Sequence, residues 1–312
     1  MERYINSFAT ENDIQIALEN GELLKPYVAY IEDVDRIDWN SKSKEKVDYT
    51  TEYLTFNITS NGNINVPTGT TYSINGAEWE NTGTTITVNS GETIRFKGNN
   101  STYNNNTFSG STASFEIEGN IMSLIYGDDF KNNSTISGIF TFASLFRSCT
   151  NLVSAENLVL PATSLKNYCY QYMFQGCSSL TSAPELPATT LANNCYYGMF
   201  QNCKSLTTAP SLPATTLTEE CYRDMFRDCT SLTTAPELPT TTLVISCYSN
   251  MFNGCTSLNY IKSLATDISA ISCINNWVYG VAKTGTFVKA SSMTSWPTGM
   301  NGIPGGWTVQ DA

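Results

Sequence analysis

Four short stretches hold most of the side chains in this chain that could do chemistry. They read CYQYMFQGC (Cys169 to Cys177), CYYGMFQNC (Cys195 to Cys203), CYRDMFRDC (Cys221 to Cys229) and CYSNMFNGC (Cys247 to Cys255). Two cysteines bracket aromatic residues in each, which suggests zinc, a disulfide or a reactive thiolate. Zinc needs four converging ligands, and the chain has neither a CxxC spacing nor any histidine. A reactive thiolate needs a positive setting, whereas the net charge here is −11. A disulfide within one stretch fails on geometry if the stretch is helical. Residues eight apart on a helix lie roughly 12 Å apart, and a disulfide needs roughly 4.4–6.8 Å between Cα atoms. Pairing between equivalent cysteines of neighbouring stretches is opposed by a reducing cytoplasmic origin. What is left is buried cysteine acting as a small hydrophobe.

Other chemistries are bounded as tightly. Without histidine there is no Ser-His-Asp triad and no Cys-His pair. Glycosidase chemistry with two carboxylates stays open, and adjacent acids exist: Glu219 with Glu220, Asp224 with Asp228, and the turn Glu32, Asp33, Asp35, Asp38. Such acids on one surface read as a solvated face, and the turn lacks the glycine and distal glutamate of an EF-hand loop. We expect no catalytic, cofactor-binding or metal-binding residue, and no cofactor. An acidic chain lacks the electrostatic footprint for nucleic acid, and no apolar run of about 18 residues predicts membrane insertion. The polar start, MERYINSFAT, has no signal-peptide core, so synthesis and folding in the cytoplasm are expected.

The elements that must position these residues fall into four segments. Residues 1–48 read as a helix–hairpin module and linker: a helix of about ten residues between Thr10 and Gly21, a strand pair in KPYVAYIEDVDRIDWN, then charged SKSKEKVD. Residues 49–125 alternate with period two (YLTFNIT, NINV, TYSING, TTITVNS, ETIRFKG, SFEIEG), which predicts a small antiparallel Ig-like β-sandwich. Residues 126–280 are periodic. Cys169, Cys195, Cys221 and Cys247 step by 26, as do Cys177, Cys203, Cys229 and Cys255, and Phe174, Phe200, Phe226 and Phe252. Leucine and proline rows repeat with them, as in SLTSAPELPATTL, and this period predicts an α/β leucine-rich-repeat solenoid. Residues 281–312 read as its C-terminal cap. The fold class expected is therefore mainly β, ending in that solenoid.

Placed on a helix at about 100° per residue, Cys169, Tyr170, Met173, Phe174 and Cys177 share one arc of about 140°. Those five are constant in all four copies, while the intervening positions vary. A packed array predicts this pattern, with the cysteine and phenylalanine rows forming a core ladder. Two surfaces then compete as ligand faces. One is the variable outer arc, with Tyr172, Tyr197 and Arg223. The other is the extended face, with Thr181, Thr207 and Thr233 and the acids Glu185 and Glu237.

The rows SLTSAPELPATTL, SLTTAPSLPATTL and SLTTAPELPTTTL, with CYxxMFxxC, resemble the BspA-like leucine-rich repeats of gut Bacteroidales, which occur in surface proteins and in proteins of their phages. GTFVKASSMTSWPTGMNGIPGGWTV is similar to the segment that closes such arrays, and YSINGAEW and EGNIMSLIYG to the β-domain preceding them. KPYVAYIEDVDRIDWNSK resembles N-terminal segments of virion proteins from Bacteroidales phages, including crAss-like ones. The resemblance implies adhesion or receptor binding and carries over no catalytic residue. The function expected is a non-enzymatic virion protein, a fibre or a capsid or tail decoration. Residues 1–40 would dock on other virion proteins, and the repeats would meet a host-surface receptor or glycan. The analogy with phage fibres suggests a trimer. The alternatives are a bacterial cell-surface adhesin and, further off, a carbohydrate-active enzyme.

Overall fold

Period-two alternation between residues 54 and 120 folds into six strands. They are β3 (Leu54–Ile58), β4 (Gly62–Asn65), β5 (Thr70–Ile74), β6 (Thr85–Val88), β7 (Thr93–Gly98) and β8 (Phe115–Asn120). They follow two strands near the start, β1 (Val28–Ile31) and β2 (Val34–Asp38). The computed structural model describes residues 28–31, 34–38, 48–81, 84–104 and 107–312. The helix expected between Thr10 and Gly21 lies outside these. The chain divides into two compact units, Met1–Asp48 and Tyr49–Ala312. In the first, β1 and β2 pair antiparallel.

In the second unit, β4 pairs with β6, and a five-stranded sheet runs β5-β7-β3-β8-β9, where β9 is Leu152–Val159. The apolar residues of β3, β7 and β8 (Leu54, Phe56, Ile94, Phe96, Phe115, Ile117) are buried. Turn chemistry sets the ends. Asn75 and Gly76 both adopt positive φ (51° and 77°), and Ala77 N–H closes the turn on Ile74 O at 2.9 Å. Because β9 pairs parallel with β8, the periodic region continues the same sheet. Gly119 on β8 has φ of 83°, and a Cβ there would lie 2.0 Å from Tyr53 O. Gly119→Ala is therefore expected to cost more than about 1 kcal/mol from the backbone conformation alone. Chemical denaturation measures it, and an unchanged midpoint would show that β8 relaxes freely at this point.

The leucine-rich-repeat solenoid is not what forms, and the expected α/β architecture is corrected. No helix occupies CYxxMFxxC, and among the described residues the α-helix is confined to Ser123–Tyr126. A helix needs uniform negative φ and bonds from N–H to the carbonyl four residues back. Here every fourth residue is left-handed: Tyr168, Tyr172 and Gly176; Asn194, Gly198 and Asn202; Glu220, Asp224 and Asp228; Ser246, Asn250 and Gly254. Backbone donors alternate between two targets. Gln171, Met173, Gln175 and Cys177 donate three residues back within the layer, at 3.0–3.2 Å. Tyr170, Tyr172, Phe174 and Gly176 donate to Cys195, Tyr197, Met199 and Gln201 of the next layer, at 2.8–3.0 Å. Each copy is thus a chain of tight turns bonded to its successor.

Nor does one parallel sheet run through the repeats. The extended segments touch only at isolated bridges such as Ser154↔Ser182 and Thr208↔Thr234. Pro184, Pro187, Pro210, Pro213, Pro236 and Pro239 remove ladder donors from these segments, so the pairing cannot propagate. Among the described residues, an all-parallel sheet forms only at the C-terminal end, from β10 (Tyr260–Ser263), β11 (Thr286–Lys289) and β12 (Thr308–Asp311).

One core joins these parts. Tyr103, Phe142, Tyr170, Tyr196, Tyr222, Tyr248, Trp277 and Trp296 stack in that order with ring centroids 5.7–6.3 Å apart. Beside them Phe108, Phe146, Phe174, Phe200, Phe226 and Phe252 stack at 5.4–5.8 Å. Offset aromatic stacking contributes beyond the area it buries. The two columns therefore tie the β-strands to the C-terminal sheet.

Candidate functional site

All ten cysteines are buried and unpaired. Cys169, Cys195, Cys221 and Cys247 sit at one inward position, and Cys177, Cys203, Cys229 and Cys255 at another. The second set has a definite partner. Cys177 Sγ donates to Phe146 O at 3.0 Å, Cys203 to Phe174 O at 3.1 Å, Cys229 to Phe200 O at 3.1 Å and Cys255 to Phe226 O at 2.9 Å. Phe146 O, Phe174 O, Phe200 O and Phe226 O also accept an N–H from their own layer (Cys149, Cys177, Cys203 and Cys229). The thiol thus fills a carbonyl's second lone pair, a task a methyl group could not perform. Burial pushes the thiols of Cys169, Cys247 and Cys255 up to about 12. Among the described residues no group of three or more acids and cysteines could hold a metal ion. No described helix is long and apolar enough to cross a membrane.

The outer arc is more organised than scattered surface residues. Left-handed backbone at Tyr172 and close approach at Gly198 bring Tyr172 and Tyr197 together, with centroids 4.9 Å apart and planes at 44°. Arg147 lies over Tyr172 at 5.5 Å, and Arg223 over Tyr197 at 5.5 Å. Four consecutive layers thus give a ridge of cation, ring, ring and cation, held by cation–π attraction. Burial, with the neighbouring Tyr197, raises the Tyr172 hydroxyl above its usual range. Arg223 also bonds Glu220 at 2.8 Å and approaches Asp224 at 3.4 Å, while Arg227 reaches Asp224 at 3.4 Å and Asp228 at 3.5 Å. Burial raises the Asp224 carboxyl above the ordinary carboxylate range, against the pull of Arg227 and Arg223. Of the acids weighed for glycosidase chemistry, Glu220, Asp224 and Asp228 are therefore bound to arginines.

The extended face is less unified. Thr181 and Thr207 line one shallow groove of about 360 Å³ with Glu185 on its rim, and Thr233 lies outside it. Thr181 is exposed, and its hydroxyl is engaged, donating to Val153 O at 3.0 Å. Glu237 is paired with Lys262 at 3.0 Å. The structure thus joins Tyr172, Tyr197 and Arg223 into one feature and divides the threonines. Arg147 was missed as their partner. Its copy is offset by two residues in the sequence, but counting layers from Phe146 places it in the ridge. Comparisons with known proteins return nothing: no family model matches the chain, and no curated protein or solved structure is similar to it.

Proposed function

We propose that this chain is a non-enzymatic structural protein of a phage particle, a fibre or a decoration subunit, which presents its layered region to a host-surface receptor or glycan. One observation carries the reading: the layers share one interior but differ outside, and the differing side chains are pre-stacked into the Arg147–Tyr172–Tyr197–Arg223 ridge. Tyrosine and arginine supply large amphipathic contacts at small entropic cost, which suits a recognition surface. A stiff stacked core holds the ridge in place before any partner arrives, so little ordering cost remains on binding. Residues 1–40, within the separate compact unit Met1–Asp48, would dock on other virion proteins. The resemblance of the repeats to proteins of Bacteroidales phages supports the same reading.

Two measurements test it. Mass spectrometry of purified particles of the encoding phage is expected to find the chain, and its absence sinks the virion role. Double replacement of Tyr172 and Tyr197 by alanine is expected to weaken binding to host cells at least about tenfold, the scale of one hot-spot residue. Undiminished binding by a folded variant removes the ridge from the reading.

A further inference from the structure

One cleft among the described residues lies outside the layers. It lies between the start of β5, the end of β7 and the 3-10 helix Gly127–Asn132, and has a volume of about 530 Å³. We propose that this cleft binds a neutral saccharide unit. The inference is independent of the ridge and of any host receptor.

The first support is an ion pair built with more contacts than an exposed pair requires. Lys97 Nζ donates to both oxygens of Asp128 at 2.8 and 2.9 Å, and Tyr53 Oη donates to Asp128 Oδ1 at 2.6 Å. Trp79 lies 4.3 Å beneath the same ammonium, and Tyr53 packs on Trp79 at 5.0 Å. Those contacts hold the Asp128 carboxyl below its usual range, with the Lys97 hydrogen bond the largest cause. Yet the Asp128 side chain remains 66 % exposed, so the pair adds little to stability. Such an arrangement keeps a fixed acceptor beside a fixed donor at the wall of a cleft. Vicinal hydroxyls, each able to donate and accept, fit that pair without disturbing its charge balance.

The remaining lining narrows the ligand. Asn99 is exposed, and its amide has no partner among the described residues. Gly127, with φ of 53°, leaves it room, since a Cβ there would lie 3.0 Å from Asn99 Oδ1. The Tyr126 hydroxyl donates to Thr135 O at 2.6 Å, which fixes its ring in the cleft as a platform for the apolar face of a pyranose. With Lys97 and Asp128 neutralising each other, Asp129 leaves the lining acidic. An anionic ligand meets that negative charge, whereas a neutral polyol avoids it and can use the donors and acceptors of the Lys97–Asp128 pair. The volume lies within the range of about 300–1,000 Å³ usual for small-ligand sites and accommodates one or two sugar rings.

Calorimetric titration of the full chain with glucose, galactose, mannose, N-acetylglucosamine and their disaccharides provides the test, with glucuronate as the anionic comparison. At least one neutral sugar is expected to bind saturably, and glucuronate is not. Asn99→Ala, which removes no side-chain hydrogen bond among the described residues, is expected to weaken that binding at least fivefold, and Asp128→Asn likewise. Tyr279→Ala, at an exposed position outside both the cleft and the ridge, is expected to leave it unchanged. The proposal is overturned if no neutral sugar binds at millimolar concentration, if glucuronate binds as well, or if Asn99→Ala binds like the parent. Asn99→Ala decides the matter even if Asp128→Asn fails to fold.

Discussion

Phe200→Ala is expected to lower the unfolding free energy by about 3–5 kcal/mol, the usual cost of deleting a fully buried phenylalanine. The ring sits in the middle of its column, 5.5 Å from Phe174 and 5.7 Å from Phe226, and no solvent reaches it. Deleting it leaves a cavity that neighbours cannot fill, because each side of the gap is another stacked ring held by its own layer. The loss extends beyond one contact. Stability in a stacked array is close to a sum of layer and nearest-neighbour terms, so a mid-column gap uncouples the layers on either side. Thermal unfolding is expected to begin lower by about 10 °C and to broaden. Alanine at exposed Tyr279, which belongs to neither column, is expected to change stability by less than about 0.5 kcal/mol. Equal midpoints for the parent and Phe200→Ala would mean that the columns are not what couples the layers.

The same columns show what the sequence made legible. The inward set of Cys169, Tyr170, Met173, Phe174 and Cys177 can be read from the copies, because five constant positions alternate in pairs with variable ones. That partition does not depend on the backbone. Over nine residues a helix of period 3.6 and a turn chain of period four select the same inner face, so the helical wheel names the core correctly on the wrong backbone. A signal for the turns was present: Asn194, Gly198 and Asn202, then Asp224 and Asp228, then Asn250 and Gly254 place left-handed-tolerant types at every fourth position. The six strands between residues 54 and 120 were legible because their alternation is strict and their turns carry Asn-Gly or Ser-Gly. Less could be read of the sites. The Tyr172–Tyr197 ridge needs the layer register as well as the residue types, and the cleft at Lys97 and Asp128 joins positions far apart in sequence with no repeating spacing.

The buried thiols should make the protein unusually sensitive to alkali while leaving it inert to thiol reagents below that point. Burial raises the folded thiols, to about 12 for Cys169, Cys247 and Cys255, whereas an unfolded cysteine ionises near about 8.5. A group raised on folding contributes stability that is fully present below the unfolded value and is lost as pH climbs toward the folded one. Each such thiol therefore costs the folded state about 1.4 kcal/mol per pH unit above about pH 8.5. Ten thiols acting together reach the roughly 5–15 kcal/mol stability of an ordinary domain within about one pH unit. Buried Tyr170, Tyr196, Tyr222 and Tyr248, also raised by burial, add to the loss at higher pH. Circular dichroism is expected to show a steep unfolding step between about pH 9 and 10.5. At pH 8 the folded chain should react with a disulfide reagent about a thousandfold more slowly than the denatured chain, since the thiolate population falls by about that factor. Cys273 should react first, because at 2 % exposure it is the least completely buried of the ten. All thiols should become reactive across the same alkaline step, and Cys203→Ala with Cys229→Ala should move that step upward if the variant folds. Persistence of the fold at pH 11, or rapid labelling of Cys203 and Cys229 at pH 8, would contradict a buried thiol ladder.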